Sequence, residues 1–312
     1  MAYIILWIIQ LLLIPLFSPL CVGIIRKIKA RMQNRQGASI FQPYKDLWKL
    51  LHKDEVISQD ASWVFRFAPF VVFGATLAAA AGIPTVTILM AQSFTSDIIV
   101  FIGVLAVGTF FLALAGMDTG SAFGGFGSSR EMTISALAEG GLMFSLLALA
   151  FLAETTNLFG IAEAMASSVF ALASLLPIGL AFGGFFIALL AETARFPFDN
   201  PATHLELTMI HEAMILEYSG KRLALMEWAS ANKLMIFMTL GASVFFPFGI
   251  DFSLSAVGIT MGMLAWGVKI FVFCCAIAIL ESSMAKLRFF RLPDLLLISF
   301  ILSVVAIGLI IA

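Results

Sequence analysis

Hydrophobic residues along the chain form eight long runs separated by shorter polar segments. Each run is about long enough to cross a hydrocarbon core, which needs ~20 helical residues. The pattern predicts an all-α polytopic membrane protein with about eight transmembrane helices and a single membrane domain over residues 1–312. The runs lie at 3–25, 64–92, 98–117, 134–153, 169–191, 234–250, 254–280 and 293–311.

Positive charges outside the runs are confined to alternate gaps. Nine Lys and Arg residues lie in or at the edge of the first gap, one in the third, four in the fifth and three in the seventh, whereas gaps two, four and six hold none. Because Lys and Arg are retained on the cytoplasmic side, the odd gaps should face the cytoplasm and both termini should face outward. The long gaps at about 26–63 and 192–233 then form the predicted surface for docking partner subunits.

Composition excludes an ordinary soluble domain, since 61% of the residues are hydrophobic and only 12% are charged. We therefore expect a multi-pass protein of the cytoplasmic (inner) membrane and no binding of nucleic acid. The three cysteines, Cys21, Cys274 and Cys275, lie in or beside apolar runs and show no spacing suited to zinc or an iron-sulfur cluster. The chain itself is thus expected to hold no metal or redox cofactor.

An amphipathic helix is predicted in the first long gap. Phe41, Tyr44, Leu47, Trp48 and Leu51 recur at helical spacing, with charged residues between them. Such a helix is typical of the membrane surface. It serves either as a simple anchor of the loop or as a docking surface for a partner.

Two ionisable residues lie within apolar runs, where a charge costs at least ~2.5–3.5 kcal/mol. Glu139 lies in the fourth run, several residues beyond the charged pair Arg130 and Glu131, and Lys269 lies deep in the seventh. A role for Glu139 and Lys269 in a proton relay is the favoured interpretation. A structural ion pair or snorkelling of the side chains is the alternative.

The second long gap is the most acidic stretch of the chain. Its signals predict a helix that starts at Pro201, capped by Asp199 or Asn200, and is closed by Gly220 after Tyr218. The helix is rich in apolar residues, so we expect its carboxylates to lie beneath a partner or beside a polar cavity. Ordinary solvated charge is the alternative.

The charged faces of this predicted helix differ in chemistry. Glu206 and Glu217 are 11 residues apart and share one face, whereas His204 and His211 are 7 apart and share another. Zinc binding by the histidines is disfavoured because no HExxH motif and no third ligand are present. A proton carrier or a hydrogen-bond partner is the preferred role for them.

The third gap, residues 116–131, is rich in glycine. A phosphate-binding loop is disfavoured because no GK[ST] sequence follows the glycines and the segment lies between membrane helices. Close packing of its backbone against another subunit is the simpler prediction.

Together these segments resemble the membrane-anchor subunit family shared by respiratory complex I (subunit 1 type) and the group 4 membrane-bound [NiFe] hydrogenases. LEYSG in its acidic context is the most specific signal, and DTGS followed by SRE resembles the formate hydrogenlyase and hydrogenase-4 type. Two segments depart from the complex I pattern, QNRQGAS at 33–39 and ATHLE at 202–206. The segments that carry the resemblance are Ala30–Leu51, Gly116–Glu131, Glu192–Leu207, Leu216–Gly220 and Glu281–Arg288.

The resemblance implies a subunit that couples a redox arm to ion translocation. The partners it implies are hydrogenase large and small subunits and an iron-sulfur subunit on the cytoplasmic side, with antiporter-like subunits in the membrane. The [NiFe] centre and iron-sulfur clusters would then reside in those partners. A quinone-facing subunit of a complex I-like dehydrogenase is the alternative, and an independent ion transporter is a third, for which no inverted repeat is visible.

The resemblance also assigns candidate residues. The intramembrane acid corresponds to Glu139 and the family's acidic loop to residues of the fifth gap. The residues predicted to couple ion movement are Glu139, Lys269, Glu192, Asp199, Glu206, Glu212 and Glu217. The residues predicted to support them are Arg195, His204, His211, Tyr218, Asp118, Arg130, Glu131 and Glu281.

Overall fold

The computed structural model describes residues 2–87, 94–167, 172–199, 210–250 and 255–311. In these ranges the regular elements are eleven α-helices and two short 3-10 turns, which confirms the all-α prediction. The helices are α1 (Ala2–Met32), α2 (Gln42–Leu51), α3 (Trp63–Ala81), α4 (Ile98–Asp118), α5 (Ala122–Ala153), α6 (Leu158–Ser167), α7 (Leu172–Glu192), α8 (His211–Ile215), α9 (Gly220–Val244), α10 (Ala256–Ser283) and α11 (Leu292–Ile311).

Seven helices among the described residues are long and apolar enough to cross a membrane: α1, α3, α4, α5, α7, α10 and α11. The chain is therefore a multi-pass membrane protein. The sixth predicted run, 234–250, gives no separate span of this kind. Residues 234–244 of this run are the end of α9 and are buried among the other helices. The part of α9 before them carries Lys221, Arg222, Glu227 and Lys233.

The second predicted run is shorter than expected, because α3 ends at Ala81 and residues 82–87 are not helical. Gly82 allows the Thr95 carbonyl to approach so closely that an added Cβ would lie 2.2 Å from its oxygen. The irregular backbone is buried, and the Gln10 side chain accepts from the Thr85 N–H at 3.4 Å and donates to the Thr87 carbonyl at 3.5 Å. Non-helical backbone at membrane depth is tolerated when protein groups satisfy it in this way.

Two prolines leave helix carbonyls without their usual backbone donors, and side chains from the α8–α9 region replace those donors. Pro19 has no N–H for the Pro15 carbonyl, which accepts instead from Trp228 Nε1 at 2.9 Å. Pro69 likewise leaves the Phe65 carbonyl free, and the Tyr218 hydroxyl donates to it at 2.8 Å. These two hydrogen bonds fix α9 and the turn before it against α1 and α3.

The predicted amphipathic helix in the first long gap is confirmed as α2. Pro43 and Leu47 are buried, whereas Trp48 is 68% exposed. Its outer face therefore presents aromatic and basic groups away from the protein. Its position at the membrane surface stays a prediction.

The prediction of one continuous helix from Pro201 to the residue before Gly220 is wrong over residues 210–219, the part that the structure describes. Residues 200–209 lie outside the described ranges, α8 ends at Ile215, and Gly220 begins α9 with a φ of +54°. Gly220 has this conformation because backbone oxygens of the first long gap pack against it, with the Asp54 oxygen 2.8 Å from where a Cβ would lie.

Candidate functional site

A charged cavity of about 500 Å³ lies where the two long loops meet, between α1, α2, α8, α9 and the turn after α7. Both long gaps thus contribute to one site. The ionisable side chains that line the cavity are Arg26, Lys29, Arg35, Asp46, Arg195, Asp199, His211, Glu212, Glu227 and Glu281.

Glu281 joins two of the basic residues at the wall of this cavity. Its buried carboxylate lies 3.1 Å from Lys29 Nζ and 3.1 Å from Arg195 Nη1. The Lys29 ammonium also lies 4.8 Å from the centroid of the Phe196 ring. Glu281 thereby ties α1, α10 and the turn after α7 together by charge-assisted bonds.

Asp199 organises the start of α8. One carboxylate oxygen lies 2.6 Å from Lys286 Nζ, and the other accepts from the backbone N–H groups of Ile210 at 3.1 Å and His211 at 3.3 Å. The Asp199 side chain therefore accepts from the N–H groups at the start of α8. Its predicted capping of a helix that begins at Pro201 concerns residues outside the described ranges. This contact places His211 beside the cavity.

A second group of ionisable side chains lies deeper in the bundle. Lys233 Nζ is 2.7 Å from Glu192, and Ser135 Oγ is 3.3 Å from one oxygen of Glu192 and 3.3 Å from one of Glu139. We call this set, together with the buried Glu131, the buried polar chain. It runs from α9 through α7 to α5.

His211 lies between the charged cavity and the buried polar chain. A small cavity of about 30 Å³ is lined by Glu131, Lys233 and His211, and His211, Ile215 and Ser230 also line the large cavity. A space of this size is large enough for one water molecule. The geometry thus brings the two groups of ionisable residues to opposite sides of one imidazole.

The titration of two residues at this junction is shifted. Burial lowers the pKa of His211 to about 4, and the Lys233 ammonium lowers it further, against the Asp199 carboxylate. Burial raises the pKa of Glu212 to about 7, assisted by Glu227 and Asp199. His211 is therefore neutral at physiological pH and both donates and accepts hydrogen bonds, while Glu212 exchanges its proton near neutral pH.

Two of the predicted supporting residues hold the loops together. The Tyr218 ring stacks on Phe65 with centroids 3.9 Å apart. Asp118 accepts from the backbone N–H groups of Ser62 at 2.8 Å and Phe65 at 3.3 Å, at the start of α3. Ser219 Oγ also accepts from the Val56 N–H at 2.8 Å and donates to its carbonyl at 2.9 Å. The LEYSG segment therefore braces the first long loop.

Several predicted residues lie outside the buried polar chain and the cavity. Lys269 Nζ donates to the carbonyls of Ala242 at 3.2 Å and Phe246 at 2.9 Å, at the end of α9, and forms no described ion pair with Glu139. Glu217 is exposed, and the Arg130 guanidinium lies 5.7 Å from the centroid of the Phe289 ring. His204 and Glu206 lie outside the described residues.

Two glycines of the glycine-rich gap pack within the chain, and packing of the segment against another subunit stays a prediction. Residues 122–131 form the first turns of α5, and Gly116 and Gly127 lie against Met214 and Ala213 around α8. An added Cβ on Gly127 would lie 2.9 Å from the Ile210 carbonyl oxygen. Glycine is required here so that α8 can approach α4 and α5.

Three lysines of the site were predicted only as loop charges: Lys29, Lys233 and Lys286. Their carboxylate partners are 252, 41 and 87 residues away along the chain, which no local pattern reveals. One feature of the sequence marks Lys233 as a candidate for the site: it directly precedes an apolar run. Among the described residues, no group of three or more His, Cys, Asp or Glu side chains is placed to hold a metal ion.

The fold and the site define a class of protein: a multi-pass helical membrane protein in which a charged cavity adjoins a buried chain of ionisable side chains. The sequence model of the NADH dehydrogenase family matches residues 4–312. The chain therefore belongs to the NADH dehydrogenase family.

Curated relatives divide into two kinds by name. The chain is 33% identical over 280 residues to formate hydrogenlyase subunit 4 of Escherichia coli strain K12, covering 90% of each chain. It is 32% identical over 301 residues to hydrogenase-4 component C of the same organism, covering 95% of this chain and 92% of the relative. It is 28% identical over 264 residues to an NADH-quinone oxidoreductase subunit of Paraburkholderia xenovorans strain LB400, covering 77% of this chain and 74% of the relative.

The fold also resembles a chain in the solved structure of the membrane-bound sulfane sulfur reductase, an archaeal respiratory membrane complex. The TM-score is 0.85 at 18% identity, over 99% of this chain and 100% of that chain. The same helical architecture therefore persists at low sequence identity.

Proposed function

We propose that this chain is the membrane-anchor subunit of a group 4 [NiFe] hydrogenase complex of the formate hydrogenlyase kind, and that it couples redox chemistry to ion translocation. Its similarity to formate hydrogenlyase subunit 4 and hydrogenase-4 component C, over at least nine-tenths of each chain, supports the anchor role. Hydrogenase large and small subunits and an iron-sulfur subunit would dock over the charged cavity. They would carry the [NiFe] centre and the iron-sulfur clusters.

The buried polar chain is the observation that carries the coupling role. Charge that appears in a docked redox subunit would first act on the ion pairs of Glu281 and Asp199 at the cavity wall. His211 would then exchange a proton between the cavity and the small water-sized space beside Glu131 and Lys233. From there the side chains of Glu192 and Ser135 lead to Glu139 within hydrogen-bond distances.

Glu139 provides the exit of this route. It is only half-buried, and the neighbouring Leu137 on the same helix is 42% exposed to the surroundings of the bundle. A carboxylate at the lateral face of a membrane protein is costly unless a polar group covers it. An antiporter-like membrane subunit that packs against α5 would cover Glu139 and receive the proton.

The anchor role is tested by purifying the chain in mild detergent and identifying the proteins that accompany it. A nickel-containing large subunit with iron-sulfur subunits is the expected result. A flavin-containing NADH arm would instead support the complex I-like alternative. A homogeneous, active single species would contradict both assignments.

The coupling role is tested with the Glu139→Gln variant of the complex reconstituted in liposomes. Hydrogenase turnover should stay near that of the wild type, while ion translocation per turnover should be lost. Glu163→Gln is the matched control, because Glu163 lies exposed on α6 away from the polar chain. Wild-type translocation by Glu139→Gln would rule out the coupling role without affecting the anchor role.

A further inference from the structure

Four sulfur-bearing side chains from three helices meet in the core of the helical bundle. The Cys21 thiol on α1 donates to the Met235 sulfur at 3.4 Å, and the Cys274 thiol on α10 donates to the Met238 sulfur at 4.0 Å, both methionines being on α9. Met235 and Met238 are three residues apart on α9, so the two pairs lie side by side along one face of that helix. All four side chains are at most 3% exposed. We call them the sulfur cluster.

Two sulfur–sulfur separations in the sulfur cluster are close to those of a tetrahedral metal site. Metal–sulfur bonds of ~2.3 Å place neighbouring sulfurs of a tetrahedron about 3.8 Å apart. The two measured sulfur–sulfur separations, 3.4 Å and 4.0 Å, lie on either side of that value.

The donors select the kind of ion. Thiolate and thioether ligands favour Cu(I), whereas zinc sites use thiolate, imidazole and carboxylate. No imidazole or carboxylate belongs to the cluster. Charge is compatible with the same ion, because one Cu(I) bound to one thiolate and three neutral sulfurs leaves the site uncharged, which a low-dielectric interior favours.

We propose that Cys21, Met235, Met238 and Cys274 form a binding site for a single Cu(I) ion. Binding converts one thiol to a thiolate: a copper–sulfur bond forms, the sulfur–hydrogen bond breaks, and the proton is released to solvent. No electron is transferred, since copper enters and stays as Cu(I). The second thiol remains protonated and acts as a neutral donor.

Access to the site is available from the charged cavity. Val22, the neighbour of Cys21, and Ala231, one helical turn before Met235, both line that cavity. The cavity wall therefore includes residues next to Cys21 on α1 and one turn from Met235 on α9. An ion delivered from the side of the long loops has a short path to the cluster.

The test is a titration of the purified full-length chain in detergent with Cu(I), under anaerobic conditions and in competition with the chelator bicinchoninate. The wild type should bind one Cu(I), release one proton and show a sulfur-only X-ray absorption shell. Cys274→Ala removes a direct ligand. It should therefore weaken Cu(I) binding by more than the ~10–100-fold that is lost when a residue hydrogen-bonded to a ligand is removed. Met235→Leu should weaken it about tenfold while conserving side-chain volume.

Cys275→Ala is the matched control, since Cys275 is adjacent in sequence, less buried and outside the cluster. It should bind Cu(I) like the wild type. Met235→Leu keeps the core filled, so its elution profile and thermal unfolding should match the wild type and exclude misfolding as the cause.

Three results would overturn the proposal: no Cu(I) bound by the wild type, binding that survives the double variant Cys21→Ala and Cys274→Ala, or binding that depends on Cys275. Recovery of a Cys21–Cys274 disulfide in place of the copper complex would do the same. None of these outcomes bears on the anchor or coupling roles, because the assay involves no redox partner and no ion gradient.

Discussion

Two lysines lie on long helices of the bundle, Lys233 mostly buried and Lys269 half-buried, and their surroundings are opposite in kind. Lys233 faces carboxylates, with Glu192 at 2.7 Å, and joins the buried polar chain. Among the described residues, Lys269 forms hydrogen bonds only to the backbone carbonyls at the end of α9, at 2.9 and 3.2 Å. A buried charge therefore does not by itself indicate a relay. What decides its role is whether a titratable partner lies within reach.

The same contrast separates their physical roles. The end of a helix leaves carbonyls without intrahelical donors, and a cation placed there satisfies them and interacts favourably with the helix dipole. Lys269 thus stabilises the termination of α9. Lys233, in contrast, compensates a buried carboxylate that would otherwise be unpaired.

The largest effect should come from Lys233→Met. This change leaves Glu192 buried without its cation, and breaking a buried ion pair costs ~3–5 kcal/mol. We expect a strongly lowered melting temperature of the detergent-solubilised protein and poor assembly of the complex. Adding Glu192→Gln should restore much of the loss, and a double variant no better than Lys233→Met would contradict the pairing.

Lys269→Met should have a smaller effect, about 2 kcal/mol. The variant loses charge-assisted hydrogen bonds to two carbonyls, each worth ~1.5–3 kcal/mol, but it also removes the cost of burying a charge. Thermal unfolding beside Lys233→Met measures the difference. The comparison fails if Lys269→Met is the more damaging of the two.

Tyr218→Phe tests the brace between the two loops. The variant keeps the stacking on Phe65. It leaves the Phe65 carbonyl, which receives no backbone N–H from Pro69, without its hydroxyl donor, and this costs ~1–2 kcal/mol. We expect a modestly lowered melting temperature and faster proteolysis of the first long loop. Phe67→Leu is the control, because Phe67 is an exposed residue on α3, the helix that carries Phe65. It should change neither the melting temperature nor the rate of proteolysis.

Glu212→Gln should give the smallest effect, and one that depends on pH. The folded pKa of Glu212, about 7, lies above its ordinary value of 4.5, so the folded state holds this proton more tightly than the unfolded state. Stability of the wild type should therefore fall as pH rises through this window, by about 1 kcal/mol after allowance for partial exposure. Melting temperatures recorded from pH 5 to 8 should show this slope flattened in the variant.

Hydropathy predicted most of the architecture because a membrane span needs a long continuous apolar run, which a single sequence displays directly. It failed where helices end for tertiary reasons. α3 stops at Ala81 because Gly82 admits the Thr95 backbone, and Gly220 opens α9 because the first long loop packs against it. The sequence around Gly82 or Gly220 does not differ from that around glycines that make no such contact.

The acidic residues of the candidate site could be selected from the sequence, but the lysines that pair with them could not. Glu139 and Glu192 are conspicuous in sequence because a carboxylate in or beside an apolar run is costly. Lys233 and Lys286 are ordinary loop charges until the fold brings them to Glu192 and Asp199. The role of Lys269 was not accessible from sequence, because its partners are backbone carbonyls that every residue possesses.

The most direct test compares Glu139→Gln and Lys269→Met side by side in the reconstituted complex, with ion translocation recorded per hydrogenase turnover. If titratable partners determine membership of the relay, Glu139→Gln should abolish translocation and Lys269→Met should leave it at the wild-type ratio. Normal translocation by Glu139→Gln, or its loss in a stably assembled Lys269→Met complex, would contradict the account.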